Sequence, residues 1–163
     1  MSVIETLITD RTQADVAYAA YLNAKVWEEF TAEEINDWRS GLKGTYNFTD
    51  LNRIGEAVLY IASRLDTAGY HVSVSPRTDF DEDTIEPPNE IEAQLSAVRA
   101  LRNVIAIPSS TAALPADMDR LKWDEANAIE NLLKVIDEYL SNLMEEYFHC
   151  GQITCGQIWE EFT

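Results

Sequence analysis

Residues Tyr46–Leu65 read YNFTDLNRIGEAVLYIASRL, and this stretch decides the fold class. Turn-forming residues open it (Gly44, Asn47, Thr49, Asp50), and about four helical turns follow without a proline. Leu51, Ile54, Val58, Ile61 and Leu65 recur at spacings of three and four, the single apolar stripe of an amphipathic helix. The pattern returns 75 positions later, from Asn52 to Asn127, in WDEANAIENLLKVIDEYL (Trp123–Leu140). Here Asn127, Ile129, Leu133, Ile136 and Leu140 stand where the first copy has Asn52, Ile54, Val58, Ile61 and Leu65. An aromatic, Phe48 or Trp123, precedes each start and is followed by a polar residue, Thr49 or Asp124. Neither copy contains a chemically reactive group. Asparagine is a poor helix-interior residue but a good partner for unpaired backbone. Asn52 and Asn127 are therefore expected to satisfy the backbone of a neighbouring loop. Phe48 and Trp123 are expected to pack on the first apolar turn as a hydrophobic staple. The duplication predicts two helices related by pseudo-symmetry and packed as core partners.

With 163 residues, 46% hydrophobic content and four tryptophans, the chain is long and apolar enough for one domain, residues 1–163, with a substantial core. Twelve basic against twenty-nine acidic residues leave a net charge of −17 and a pI near 4.3. Such a surface repels a phosphate backbone, so no nucleic-acid partner is expected. No apolar run reaches the ~20 residues of a membrane span, and the N-terminus lacks a basic stretch followed by an apolar one, so neither a membrane partner nor a secretory leader is expected.

Outward from the two copies, the remaining elements fall into place. The β-branched segment VIETLITD (Val3–Asp10) reads as a short strand or extended arm within residues 1–12. A helix is predicted from Ala14 through Glu29, followed by a shorter one opened by the capping box Thr31/Glu34 and stopped between Gly41 and Gly44. The first long helix, about Thr49 to Ala68, ends at Gly69, which suits a left-handed cap. YHVSVS then alternates like a strand. Residues 76–88 form an acidic, proline-bounded loop, and a helix from about Asn89 to Ile107 is ended by Pro108. The last long helix spans about Asp124 to Phe148. A β-like tail, about 149–163, carries a local repeat of CGQI. The predicted class is mainly α: a bundle of about five helices with a small β-sheet or hairpin formed by the termini and residues 70–75.

Residues able to carry chemistry are few. In the acidic loop, Asp79, Asp81, Asp83 and Glu90 match positions one, three, five and twelve of a helix-loop-helix calcium site. Thr84 stands where the sharp turn needs glycine, and Pro87 and Pro88 stiffen the loop, so a solvated acidic loop is the expectation and calcium the weaker candidate. His149, Cys150 and Cys155 supply three nearby zinc-type ligands where a structural site takes four, and His71 is distant. The two cysteines are expected to be reduced in a chain without a leader, though their pairing is left open by the spacing. Two histidines, neither in a nucleophile motif, and a GLKG sequence (Gly41–Gly44) without Walker spacing give no catalytic or phosphate-binding signature. No enzyme activity, metal or cofactor is expected.

Three stretches carry a family resemblance: ITDRTQADV (Ile8–Val16), LKGTYNFTDLNRIGEAVLYIASRL (Leu42–Leu65) followed by Gly69-Tyr70, and RALRNVIAIPSSTAALPADMDRLKWDEANAIENLL (Arg99–Leu133). Together they are similar to structural proteins of phages and prophages of Firmicutes, a poorly annotated family associated with the tail or baseplate. Thr49–Ala57, with the pattern T-D-L-N-R-I-x-x-A, is the most recognisable piece. The tail repeat at Cys150–Gln152 and Cys155–Gln157 also resembles that family's C-terminal end, where the small residue is commonly serine. The acidic loop, Thr78–Glu90, is not part of the resemblance. The resemblance implies a virion component, assembled in the host cytoplasm. It would act by contacts with other virion or tail proteins and as a homo-oligomer within an assembly, and no functional residue carries over. The alternative is a small binding or accessory module that recognises a host surface glycan or ligand.

Overall fold

A computed structural model of the chain describes residues 2–81, 88–108 and 110–150, with side chains described as far as Glu145. The described residues contain five α-helices: α1 (Gln13–Asn23), α2 (Ala32–Ser40), α3 (Phe48–Thr67), α4 (Pro88–Val104) and α5 (Trp123–Cys150). Short 3-10 turns occur at Val3–Thr6 and Trp27–Glu29.

The two copies of the repeated motif are α3 and α5, and they pack against each other and against α4. Their stripes interlock as expected: Ile54, Val58, Ile61 and Leu65 of α3 meet Ile129, Leu133, Ile136 and Leu140 of α5, all fully buried. Leu95, Val98 and Leu101 of α4 close the third side. Burial of each such aliphatic side chain contributes roughly 1.5–3 kcal/mol, which makes this the main source of stability. Arg64, in the last turn of α3, clips the pair by an ion pair with Asp137 of α5, and its second nitrogen donates to Ser141 Oγ at 3.1 Å.

No strand occurs among the described residues, so the expected small sheet is not supported there. Val3–Thr6 is a 3-10 turn because Ser2 and Glu5 make a reciprocal capping box, which satisfies locally the amides a strand would have offered to a neighbour. Residues 70–75 take no regular structure; Val72 and Val74 pack on the helical core and pair with no strand. The C-terminal partner proposed for that sheet, 151–163, lies outside the described residues. The predicted helix from Ala14 through Glu29 is also corrected. It ends at Asn23, and a separate 3-10 turn carries Trp27–Glu29 before Thr31 starts α2 with its capping box. Phe48 and Trp123 are the first residues of their helices, not the residues before the cap. At α3 the staple position belongs to Tyr46, which packs against the main core.

The packing of α1 and α2 is different in kind. Neither takes part in the main helix–helix contacts, and their own core is only Ala19, Leu22 and Leu42 with Phe30 against it. The chain leaving α2 passes close to the start of α1 at Gly44, where any Cβ would run into the backbone carbonyl of Asp15.

Gly55 marks the tightest approach between α3 and the extended segment 77–80. A Cβ there would collide with the Arg77 carbonyl oxygen and lie 2.9 Å from the Thr78 methyl. Gly55→Ala is therefore expected to destabilise the protein by about 1–3 kcal/mol, although alanine is the better helix former. Urea denaturation checks this, and an alanine variant as stable as the parent would show that the segment moves freely.

Candidate functional site

The repeated asparagines do related work at the N-terminal ends of α3 and α5. Asn52 donates from Nδ2 to the Phe80 carbonyl (2.9 Å) and accepts from the Phe80 amide (2.8 Å). Asn127 makes the same pair of bonds with Arg11, 2.9 Å to its carbonyl and 3.0 Å from its amide. Each amide thus imitates a strand neighbour for one residue of an extended segment. The held segments are themselves alike: Ile8-Thr9-Asp10-Arg11 and Arg77-Thr78-Asp79-Phe80. The holding is reciprocal, since α5 grips the segment that leads into α1 while α3 grips the one that leads towards α4.

Next to the Asn127 clamp lies a buried ionic node. Arg11 is 3% exposed and Glu130 is 0% exposed. Arg11 Nη2 donates to Asp50 Oδ1 and to Glu130 Oε1, both at 2.7 Å. Arg53, one turn after Asp50, pairs with the same two carboxylates, reaching Glu130 at 3.0 and 3.1 Å. Burial opposes the charge on Arg53, but the bonds to Glu130 and Asp50 outweigh it and raise its pKa. The Ile8 amide completes the shell of Glu130 at 2.6 Å. Asp50 has a further duty, since its Oδ2 accepts from the Asn47 amide and closes the capping box of α3. Two cations and two anions in contact leave the node neutral, the condition under which burying four charges is tolerable.

Tyr46 leans on this node, with the Arg11 guanidinium 5.7 Å from its ring centre. Burial, then the nearby Glu130 and Asp50 carboxylates, push its phenol upward, so it stays protonated. Tyr46 Oη and Arg11 Nε have no hydrogen-bond partner among the described residues. Outside the node an open cleft of about 320 Å³ is lined by Arg11, Gln13, Tyr46, Lys122 and Trp123, among others. Trp123 spans its edge by donating from Nε1 to Gln13 Oε1 at 3.1 Å. The polar atoms of the node face one another, so the cleft presents mostly apolar wall.

A second feature lies on the α1–α2 hairpin. Trp27 is 50% exposed and Trp38 40%, with Phe30 between them at ring separations of 5.0 and 5.8 Å. Tyr18 and Tyr21 stack on α1 with centroids 6.4 Å apart. Lys25 stands over the Tyr21 and Phe30 rings and bonds both oxygens of Glu34, at 2.8 and 2.9 Å. Tyr18 Oη donates to Asp37 at 2.8 Å, which ties the two helices and pushes the phenol up to about 12.

Of the residues singled out in the sequence, Asn52 and Asn127 hold backbone, and Ile54 and Ile129 are core. Thr49 donates to the Asn47 cap, and Asp124 lies in the first turn of α5. The calcium candidates are not gathered: Asp79 and Glu90 both bond Arg77, at 2.7 and 2.6 Å, while Asp83 lies outside the described residues and Asp81 has its own contacts. Among the described residues no group of three His, Cys, Asp or Glu side chains is arranged to hold a metal. Cys150 is the last residue of α5, and neither its side chain nor Cys155 falls within the described part. Missed from the sequence were Arg11, Asp50, Arg53 and Glu130. No local signal marked them: Thr-Asp pairs stand at both held segments, Thr9-Asp10 and Thr78-Asp79, but also at Thr49-Asp50 in the first turn of α3.

No protein-family model matches this chain, and neither a curated protein nor a solved structure matches it.

Removing Glu130 would strand two guanidinium groups in the interior. Glu130→Ala is expected to cost about 3–5 kcal/mol in chemical denaturation, well above Asp119→Ala at an exposed loop position. The Glu34 carboxylate is held down to about 2, chiefly by Lys25 and then by the Thr31 amide. Because this pKa is lowered by folding, the tie between Lys25 and Glu34 is intact above the ordinary value of 4.5 and is lost as pH falls through about 2. A carboxyl-detected NMR titration in which Glu34 titrates at its ordinary value would refute that tie.

Proposed function

We propose that this chain is a structural or assembly component of a phage virion, associated with the tail or baseplate, that works through protein–protein contacts and catalyses no reaction. Its resemblance to phage structural proteins spans most of the chain, and the surface chemistry is of the matching kind. The observation that carries the reading is the half-exposed aromatic face of the α1–α2 hairpin, Tyr18, Tyr21, Trp27 and Trp38. Tryptophan and tyrosine are the residue types that anchor protein interfaces, and several of them side by side on one small element exceed the scattered exposure of a monomer surface. The polar interior supports the same reading from the other direction. Arg11, Asp50, Arg53 and Glu130 are consumed in pairing with one another, which is structural work.

The partners in this reading are other tail proteins and further copies of the chain, in a particle assembled in the host cytoplasm. A charge of −17 opposes a nucleic-acid partner, and no helix among the described residues is long and apolar enough to cross a membrane. The half-exposed Trp27 and Trp38 also suit a second reading, an accessory module that stacks a host surface glycan on its indoles. Mass spectrometry of purified particles and of assembly intermediates decides between them. The protein is expected in stoichiometric amounts in one or both. Its absence from both, together with glycan-array binding by the isolated monomer, would replace the first reading with the second.

A further inference from the structure

The α1 helix has two apolar stripes. One, Ala19 and Leu22, faces the hairpin's small core. The other, Ala14, Ala17, Tyr18 and Tyr21, follows the spacing of three, four and seven along an adjacent side, and its two tyrosines are exposed. A helix turned to solvent on that side would ordinarily carry charge there. The stripe continues without a break into the hairpin's rings, from stacked Tyr18 and Tyr21 through the Lys25 contact to Phe30, and from Phe30 to Trp27 and Trp38. The small residues lie at the α1 end and the large rings at the other. Such a surface lets a second helix approach closely over Ala14 and Ala17 and gives its side chains aromatic walls further along.

The rim chooses the charge of the occupant. Between Val26 and Trp38 the chain has carboxylates at Glu28, Glu29, Glu33, Glu34 and Asp37 and no cation at all. Glu28, Glu29 and Glu33 are exposed. Of the flanking cations, Lys25 is already bound by Glu34, and Arg39 lies beyond Trp38 in the last turn of α2. Lys25 also displays in miniature what the face accepts: an aliphatic stem with a cationic head, seated over two rings and closed by a carboxylate. A second copy of this chain would bring the same acidic rim and another −17 of charge, which makes it a poor complement.

We infer that the outer face of the α1–α2 hairpin is a docking site for an amphipathic helix of a different protein, with an apolar stripe that seats on Ala14, Ala17, Tyr18, Tyr21 and Trp27 and with lysine or arginine flanks that meet Glu28, Glu29 and Glu33. The inference deepens the assembly reading and rests on it for its biological setting. Particle composition decides that reading independently, so failure of the binding test removes this face and this partner while leaving that reading as it was.

The test uses the full chain and a fluorescent synthetic helix of leucine and lysine in a heptad pattern, read by anisotropy. Two control helices replace the leucines by serine or the lysines by glutamate. The leucine–lysine helix is expected to bind at least about tenfold more tightly than either control. Trp27→Ser and Tyr21→Ser should each weaken it by about tenfold, while Leu59→Ser, exposed on α3, should leave it unchanged. The double variant Glu29→Lys/Glu33→Lys, with its aromatic face intact, should weaken binding and flatten its salt dependence. Circular dichroism confirms that each variant keeps its helix content. Three results would overturn the proposal. These are equal binding by the Trp27→Ser variant, equal binding of the glutamate helix, or light scattering that shows self-association abolished by Trp27→Ser, which would give the face to a second copy.

Discussion

The interior of this protein depends on one constraint: a buried carboxylate, Glu130, must be neutralised and fully bonded. It lies on α5 with no exposure, where water cannot solvate it. Its donors come from Arg11 and Ile8 at the start of the chain and from Arg53 on α3. Such a node adds little net stability over a well-packed apolar core. What it imposes is position. Four charged side chains from three segments are paired together in one arrangement, so the N-terminal segment, α3 and α5 are locked in register by groups far apart in sequence. A slip of either helix by one residue would leave at least one charge unpaired in the interior.

The asparagine clamps extend this locking to the backbone. Because α5 holds residue Arg11 and α3 holds residue Phe80, each half of the chain secures the entry segment of the other. At the position of Glu130 in α5, the α3 copy has Gly55, which presses against the Arg77 carbonyl without bonding it. The two ends of the pseudo-symmetric core are therefore solved differently: one by charge, one by close approach. The halves differ again in the helices that come after each held segment. In the second, α4 joins the core, whereas in the first, α1 and α2 form a separate hairpin beside it. The hairpin is the part of the fold that the pseudo-symmetry does not account for.

Helical periodicity made most of the core legible in advance. The stripes of α3 and α5 and the capping box at Thr31 depend on neighbours within a few residues, and sequence shows such neighbours directly. The same logic made Asn52 and Asn127 readable as backbone partners, but could not say which backbone. The ionic node was hidden for the complementary reason. Arg11 and Glu130 are 119 positions apart, and in a chain with twenty-nine acidic residues no local feature distinguishes the buried ones. The predicted strands failed through a shared misreading. Val3–Thr6 and residues 70–75 have β-type side chains, yet their amides are met by a cap in one case and their valines by helices in the other. The break after Asn23 was missed because α1 is apolar almost all round, and periodicity cannot find the end of a helix that has no polar face.

That missing polar face and the neutrality of the node together determine where the protein's charge resides. The node contributes equal numbers of each sign, so the whole excess of −17 is carried by groups outside it. Identical copies then repel at every approach that brings acidic faces together, and at physiological salt this repulsion reaches only about 8 Å. Contacts within an assembly are consequently favoured where apolar area is exposed and a partner supplies the cations. The α1–α2 hairpin meets the first condition with Tyr21, Trp27 and Trp38, and its own Lys25 shows that a cation can satisfy the second on these rings. A rigid, internally neutral core beside an acidic, aromatic hairpin is a division of labour: one part fixes the shape, and the other is left to be completed from outside.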